Sequence, residues 1–352
     1  MGKFIQFHLL TNYGPANLNR DDLNRPKTAV VGGVQRLRIS SQCLKRAWRT
    51  SEVFEGALAG HIGKRTKTMG NKIYKDLIAG KIEEKKAKEW AVLIAGVFGK
   101  NKTENKEKTS EIEQLAHFSP EEIGVIEGLV KKMIARKSGP LDEELKLLQK
   151  NRGAADIAMF GRMLADHPMY NTEAAVQVAH AFTVHKAAVE DDYFSAVDDL
   201  NKHEEHAGSG HIGEAEFGAG LFYLYVCIDY VLLKENLGNN EELVQNAIRA
   251  LVESAATVAP TGKQNSFASR AYASYVLAEK GDKQPRSLAG AFLKPVTGDD
   301  VLGKAIEAVK NTREAFNKVY MDTTEAYELN TTQGKGTLSE LQNYCLNGKV
   351  GI

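Results

Sequence analysis

Hydrophobic periodicity changes character twice along the chain, and the order of those changes constrains the fold more than any composition value. Phe4-Ile5-Gln6-Phe7-His8-Leu9-Leu10 reads as a strand, and Val34, Arg36 and Arg38 alternate with Gln35, Leu37 and Ile39 as a second, short one does. From residue 40 to about 155 the pattern is almost wholly helical, with good periodicity over 74–88 and 89–98. Ser119-Pro120-Glu121-Glu122 reads as a helix start. In the same stretch, 99–110 is a polar, lysine-rich connector, Gly139-Pro140 breaks the pattern and 141–150 resumes it. From 155 onward period two returns. Ala174, Val176, Val178, His180, Phe182 and Val184 share one side of a strand candidate, and 221–233 (LFYLYVCIDYVLL) is another, rich in aromatic and β-branched residues. Between them, 189–220 is polar and carries Gly208, Gly210, Gly213, Gly218 and Gly220, as a projecting hairpin does. Helices are expected over 240–258 and 299–320, a loop over 260–265 and a strand over 271–277. The sum is an α+β fold: a β-α-β framework of ferredoxin or RNA-recognition-motif type, with a helical insertion after the first helix and a hairpin insertion in the middle. Single-stranded RNA can lie on such a sheet.

Charge is distributed unevenly on this frame. Residues 20–49 hold eight basic side chains (Arg20, Arg25, Lys27, Arg36, Arg38, Lys45, Arg46, Arg49) against two acids, Asp21 and Asp22, a local charge of +6 in a chain of net charge +1. The run ends in a helix. At about 100° per residue, Gln42, Lys45, Arg46 and Arg49 share one face and Cys43, Leu44, Ala47 and Trp48 the other. Ser40 or Ser41 can cap it. Its first-turn N–H groups and dipole favour an anion there, and Gly32-Gly33 upstream allows a tight loop. An ordinary solvated basic face is the alternative. A second basic stretch, His61, Lys64, Arg65, Lys67, Lys72 and Lys75, contains no acid.

Composition excludes several classes. Among 352 residues no apolar run approaches the ~18 a membrane helix needs, and the N-terminus lacks the apolar core and cleavage site of a signal peptide. Cys43, Cys227 and Cys345 lack CxxC spacing, which argues against a disulfide framework or zinc site and fits a reducing cytoplasm. Glycine-rich phosphate loops and nucleophile elbows are missing, so a metabolic α/β enzyme has no support. His203-Glu204-Glu205-His206 falls short of HExxH spacing, and no metal or other cofactor is expected.

Several motifs resemble one family. Asn17-Leu18-Asn19-Arg20-Asp21-Asp22, Gly32-Gly33 and Arg38-Ile39-Ser40-Ser41-Gln42 with Leu44-Lys45-Arg46 look like the N-terminal signature of the CasC-type subunit of type I-E CRISPR Cascade. Asp156-Ile157-Ala158-Met159-Phe160-Gly161-Arg162-Met163, Ala179-His180-Ala181, Ala196-Val197-Asp198-Asp199-Leu200, His211-Ile212-Gly213, Glu216-Phe217, Glu235-Asn236-Leu237-Gly238 and Ser287-Leu288-Ala289 with Ala291-Phe292 follow in family order. Residues 76–150 match only loosely.

The resemblance implies a non-catalytic, cytoplasmic backbone subunit of a crRNA-guided surveillance complex. Several copies polymerise as a helical filament along the guide and present it in short segments to target DNA, beside other Cascade subunits, and a helicase-nuclease recruited later cuts the DNA. No membrane is involved. It implies a palm of RNA-recognition-motif type in three parts (1–59, 156–188, 221–352), helical fingers at 60–155 and a β-hairpin thumb at 189–220. Asn19, Arg20, Ser40, Gln42, Lys45, Arg46 and Arg49 are implied to hold guide phosphates and sugars without reading sequence. Met163 is implied to wedge between bases, although an unassigned methionine is more often core filler. Tyr193, Phe194, Val197 and Ile212 are implied to press on a displaced nucleotide and its neighbours, with the aromatic at 193 able to stack.

Two other readings stand beside this one. A free-standing single-stranded RNA-binding protein of RNA-recognition-motif type needs no copies or partners. A metal-dependent RNase backbone subunit would use Asp21 and Asp22, although ion pairing of these acids within their loop, beside Arg20 and Arg25, is the simpler account.

Overall fold

The computed structural model of the protein describes residues 3–104, 107–150, 153–196, 211–322 and 324–347. In chain order its strands are β1 (Phe4–Ala16), β2 (Thr28–Val31), β3 (Val34–Ile39), β4 (Lys64–Thr66), β5 (Asn101–Glu104), β6 (Glu107–Ile112), β7 (Ala116–Phe118), β8 (Val176–Val178), β9 (Ala181–Thr183), β10 (Glu190–Ala196), β11 (His211–Asp229), β12 (Ala273–Gly281) and β13 (Ala326–Asn330). Its helices are α1 (Ser41–Arg49), α2 (Glu52–Ala57), α3 (Met69–Ala79), α4 (Glu84–Gly96), α5 (Pro120–Arg136), α6 (Ala155–Phe160), α7 (Tyr230–Asn236), α8 (Glu241–Thr257), α9 (Gln264–Phe267), α10 (Val301–Val319) and α11 (Leu338–Asn347). The protein is of mixed α/β class with a central antiparallel sheet.

It divides into two compact units, Met1–Phe54 with Gln177–Ile228 and Ile248–Ile352, and Glu55–Val176 with Asp229–Ala247. The expected palm segments 156–188 and 221–352 are therefore each cut, and 1–59 loses its last five residues, 55–59, to the second unit. Residues 156–176 and 229–247 go with the second unit, and hydrogen bonding explains why. Ala155 N donates to His61 O (2.7 Å), buried Asp156 accepts from Gly63 N and from the His117 ring, and the Asn236 amide on α7 donates to Ala158 O and Glu173 O.

In the first unit the sheet order is β13-β12-β1-β11-β9-β3-β2, with β8 and β10 pairing with β11 off this path. The succession β1, α1, β9, β11, α8, β12 thus places its four strands in the order β12-β1-β11-β9. Residues 5–10 of β1 are buried throughout, so both faces of the sheet are covered. One face pairs Leu10 with Tyr275, His8 with Leu277 and Gln6 with Glu279. It packs under Ala305, Ile306 and Val309 of α10 and under Leu288 and Phe292. The expectation that RNA could lie on the sheet fails on this face, because residues 286–313 close it.

A charge cluster sits beneath that cover. Glu279, fully buried, accepts from Arg286 in a two-point contact (3.1 Å each), from Arg313 Nε (2.8 Å), and shares a 3.1 Å hydrogen bond with the buried His8 ring. Burial alone would raise the Glu279 pKa, but hydrogen bonds from His8, Arg286 and Arg313 outweigh it and hold it at about 2. Burial holds His8 below its usual value and favours the neutral ring, Glu279 notwithstanding.

The second unit packs α3, α4 and α5 around Ile73, Leu77, Ala91, Ile94 and Met133. Ser119 caps α5 in a full capping box with Glu122, as the sequence predicts. This region is less helical than expected. The polar connector at 99–110 holds the β5–β6 hairpin, β4 pairs with β7, and 141–150 forms only a 3-10 turn over Asp142–Leu145. The strand expected at 221–233 stops at Asp229, whose carboxylate caps α7 by accepting from Leu232 N (3.0 Å). The alternating stretch 174–185 splits into β8 and β9, and the 260–265 loop runs into α9. No helix among the described residues is long and apolar enough to cross a membrane.

Candidate nucleic-acid interface

Helix α1 forms where its pattern predicts. Ser40 is the N-cap, extended at φ −72° and ψ 148°, and its hydroxyl accepts from Cys43 N (3.3 Å). Ser40 N in turn donates to Asn19 Oδ1 (2.8 Å), which binds the preceding loop to the helix start. Leu44, Ala47 and Trp48 are buried, while Gln42 and Arg46 are exposed and Lys45 and Arg49 half-buried. Burial pushes the Lys45 ammonium below its usual pKa, a shift that an adjacent phosphate would reverse.

The basic face of α1 has two sides. Arg46 turns with Cys43, Ala47 and Thr50 toward a cleft of about 410 Å³, also lined by Leu18, Asn19, Arg20, Asp21, Asn24, Thr261 and Gly262. Gln42, Lys45 and Arg49 lie one step round the helix at about 100° per residue. The structure therefore brings Asn19, Arg20 and Arg46 together in one concavity, with Ser40 bracing it from the cap.

The local charge of +6 overstates what faces solvent. Arg36 is a core residue, fully buried, donating to Thr183 O (2.8 Å) and Phe292 O (3.0 Å). Arg25 pairs with Glu216 (3.0 Å), and Arg38 shares a 2.7 Å hydrogen bond with the His180 ring. The account of Asp21 and Asp22 also changes. Asp21 accepts from Leu23 N and Arg25 N (2.9 Å each) and so closes a turn rather than pairing with a neighbouring arginine, while Asp22 is exposed. No group of three or more His, Cys, Asp or Glu suited to a metal occurs among the described residues.

Thr261 and Gly262 are the cleft residues that sequence reading missed. A Cβ on Gly262 would collide with Leu18 O and Asn17 O, so only glycine lets this loop close the cleft wall. Gly262 between Thr261 and Lys263 was the available signal, but its partner segment lies more than 240 residues away in sequence.

The hairpin at 189–220 is present as β10 and the first part of β11, paired from Glu190↔Phe217 to Ala196↔His211. Tyr193 (64% exposed) and Phe194 (43%) are adjacent and so point to opposite faces of the hairpin. A Cβ on Gly213, opposite Phe194, would collide with the Phe194 ring, so the glycine makes room for it. Ile212 pairs with Ser195 through its backbone. Val197 and the histidines 203 and 206 lie outside the described residues.

Met163, in the second unit, is 75% exposed and is not core filler. The residues before it are fixed. Gly161 has φ +82°, and Arg162 is buried, donating to Glu122 (2.7 Å), His117 O, Gln149 O and Tyr170 O. Lys64, Arg65, Lys67, Lys72 and Lys75 are exposed in the same unit, and Lys72 pairs with Glu127.

A family model described as CT1975-like protein matches residues 5–349. The chain belongs to that family. Among solved structures, this CT1975-like chain is similar to one titled "CRISPR RNA-guided surveillance complex, pre-nicking", at 28% identity and TM-score 0.86, covering 98% of this chain and 99% of that one. A second, titled "CRISPR RNA-guided surveillance complex", is 26% identical with TM-score 0.60 over 96% and 92%. Comparison with curated proteins gave no match. The resemblance to Cascade backbone subunits read from the N-terminal motifs stands with these likenesses.

Proposed function

We propose that the protein is the crRNA-binding backbone subunit of a type I-E Cascade surveillance complex. It polymerises in the cytoplasm along the guide and offers it in short segments to target DNA, beside other Cascade subunits and ahead of a recruited helicase-nuclease. The observation that carries this reading is the likeness to a surveillance-complex chain over nearly the whole of both chains. The strand order β12-β1-β11-β9 supports a palm of RNA-recognition-motif type, with the second unit as fingers and β10–β11 as thumb.

RNA is held at the edge of that palm rather than on its sheet. The cleft of Asn19, Arg20 and Arg46 takes a phosphate, with Ser40 bracing the helix start, and Gln42, Lys45 and Arg49 continue the track along α1. Such contacts bind without sequence preference, as a guide of variable sequence requires. Met163, exposed on a rigid turn, is suited to wedge between bases, and Tyr193 to stack on a displaced one, with Phe194, Val197 and Ile212 completing the thumb. The subunit itself needs no cofactor and does no chemistry in this scheme.

Native mass spectrometry on guide RNAs of graded length tests the reading. Oligomers that gain one copy per fixed increment of RNA are expected. A monomer on every length would point instead to a free-standing RNA-binding protein.

A further inference from the structure

Three segments of the first unit meet at the base of the hairpin, and two of them, at 18–24 and 261–262, also wall the cleft beside α1. The side-chain amide of fully buried Asn17 donates to Asn24 O (3.0 Å) and to Glu216 O (2.8 Å), joining the basic loop to the hairpin strand. Arg25 and Glu216 add an ion pair at 3.0 Å. From the other side, Phe217 packs against Phe267 of α9 at 6.0 Å between ring centroids, and Gly262 lies against the backbone oxygens of Asn17 and Leu18. Glu216 and Phe217 are the strand partners of Asp191 and Glu190, the first rungs of the hairpin. Tyr193 follows Asp191 by two residues, about 7 Å further along the strand and on the same face.

The chemistry of Asn17 fits this use. Its Oδ1 is buried with no hydrogen-bond partner among the described residues, a loss of about 1–3 kcal/mol. The two N–H bonds, one to each segment, are what an amide supplies there and what an aspartate of the same shape cannot.

We infer that Asn17 is a positioning residue, which fixes the hairpin against the phosphate cleft so that the nucleotide beside Tyr193 sits at a set distance from the phosphate held at Arg20 and Arg46. This rests on the guide-RNA reading above. It predicts that register and affinity come apart when the clamp is cut.

The test uses the full-length protein assembled on guide RNA, with 2′-hydroxyl acylation read nucleotide by nucleotide. Wild type is expected to give regularly spaced reactive nucleotides. Asn17→Asp is expected to keep RNA affinity within about twofold while the contrast between reactive nucleotides and their neighbours falls several-fold. An Arg25→Ala, Phe267→Ala double variant, which cuts the partly exposed half of the clamp, should move the pattern the same way and decides the matter if Asn17→Asp fails to fold. Unchanged contrast in the folded variants would overturn the inference alone. An affinity loss in Asn17→Asp as large as in Lys45→Ala with Arg49→Ala would also overturn it. An absence of spaced reactivity in wild type would overturn the guide-RNA reading with it.

Discussion

Two parts of the first unit concentrate arginine, to opposite ends. Under α10, Arg286 and Arg313 converge on the buried Glu279, which offsets one of their two positive charges inside the fold. Around α1, Arg20 and Arg46 line an open cleft together with amide, hydroxyl and small apolar side chains, and with Asp21, which is tied into its turn. Residues alike in chemistry hold the sheet closed in one place and present a site for an external anion in the other. The difference is that the carboxylate in the second place, Asp21, accepts from backbone N–H groups and not from the guanidinium groups. In the proposed function the RNA site therefore lies at the loop-and-helix edge and not on the sheet face, where the fold class alone would put it.

The contrast can be broken or sharpened by substitution. The largest effect is expected of Glu279→Gln, which leaves two half-buried guanidinium groups without their counter-charge. Chemical denaturation should show a loss of about 3–5 kcal/mol, with RNA affinity of the folded fraction unchanged. An equal fall in affinity would mean the two regions are not independent. Gly262→Ala should follow. Its new methyl group meets the Leu18 and Asn17 carbonyls and pushes the cleft wall outward, with stability lower by about 1–3 kcal/mol and RNA binding weakened alongside.

Lys45→Ala with Arg49→Ala should weaken RNA binding by roughly tenfold for every sequence. The salt dependence should become shallower by about 0.7 for each phosphate no longer neutralised. Titrations at several salt concentrations measure both, and a loss confined to particular sequences would contradict a backbone role.

The pH response should divide along the same line. Burial depresses His8 below 6.5, so its contribution to stability is complete above that value and is lost as pH falls below it. Glu279, held at about 2 against an ordinary 4.5, contributes fully above 4.5 and loses that contribution as pH falls toward 2. Thermal melts should therefore decline in two steps on acidification, and Glu279→Gln should remove the lower one. Tyr193→Ala should change least. At this exposed strand position stability should stay within about 0.5 kcal/mol, while probing of assembled RNA should show the displaced nucleotide more reactive.

Much of α1 was legible because its signals are local. The Ser40 cap, the buried Leu44 and Trp48 and the basic stripe lie within ten residues, as do Ser119 and Glu122 at the start of α5. Arg36 was misread as a surface charge because its acceptors, Thr183 O and Phe292 O, are brought to it by tertiary folding. Thr261 and Gly262 were missed for the same reason. The closure of the sheet face was hidden too: 299–320 reads as a helix, but nothing in its sequence says which face it covers. The β5–β6 hairpin escaped notice because its polar residues, Asn101-Lys102-Thr103-Glu104, carry no apolar alternation.

Glu122 is the feature with the longest reach. The carboxylate that completes the α5 capping box also receives Arg162, the residue immediately before Met163. Two positions forty apart are thereby physically coupled. A substitution of the acid at 122 that keeps the arginine at 162 would strand a buried cation next to the exposed Met163. Covariation of 122 with 162 across relatives would be the historical trace of that bond.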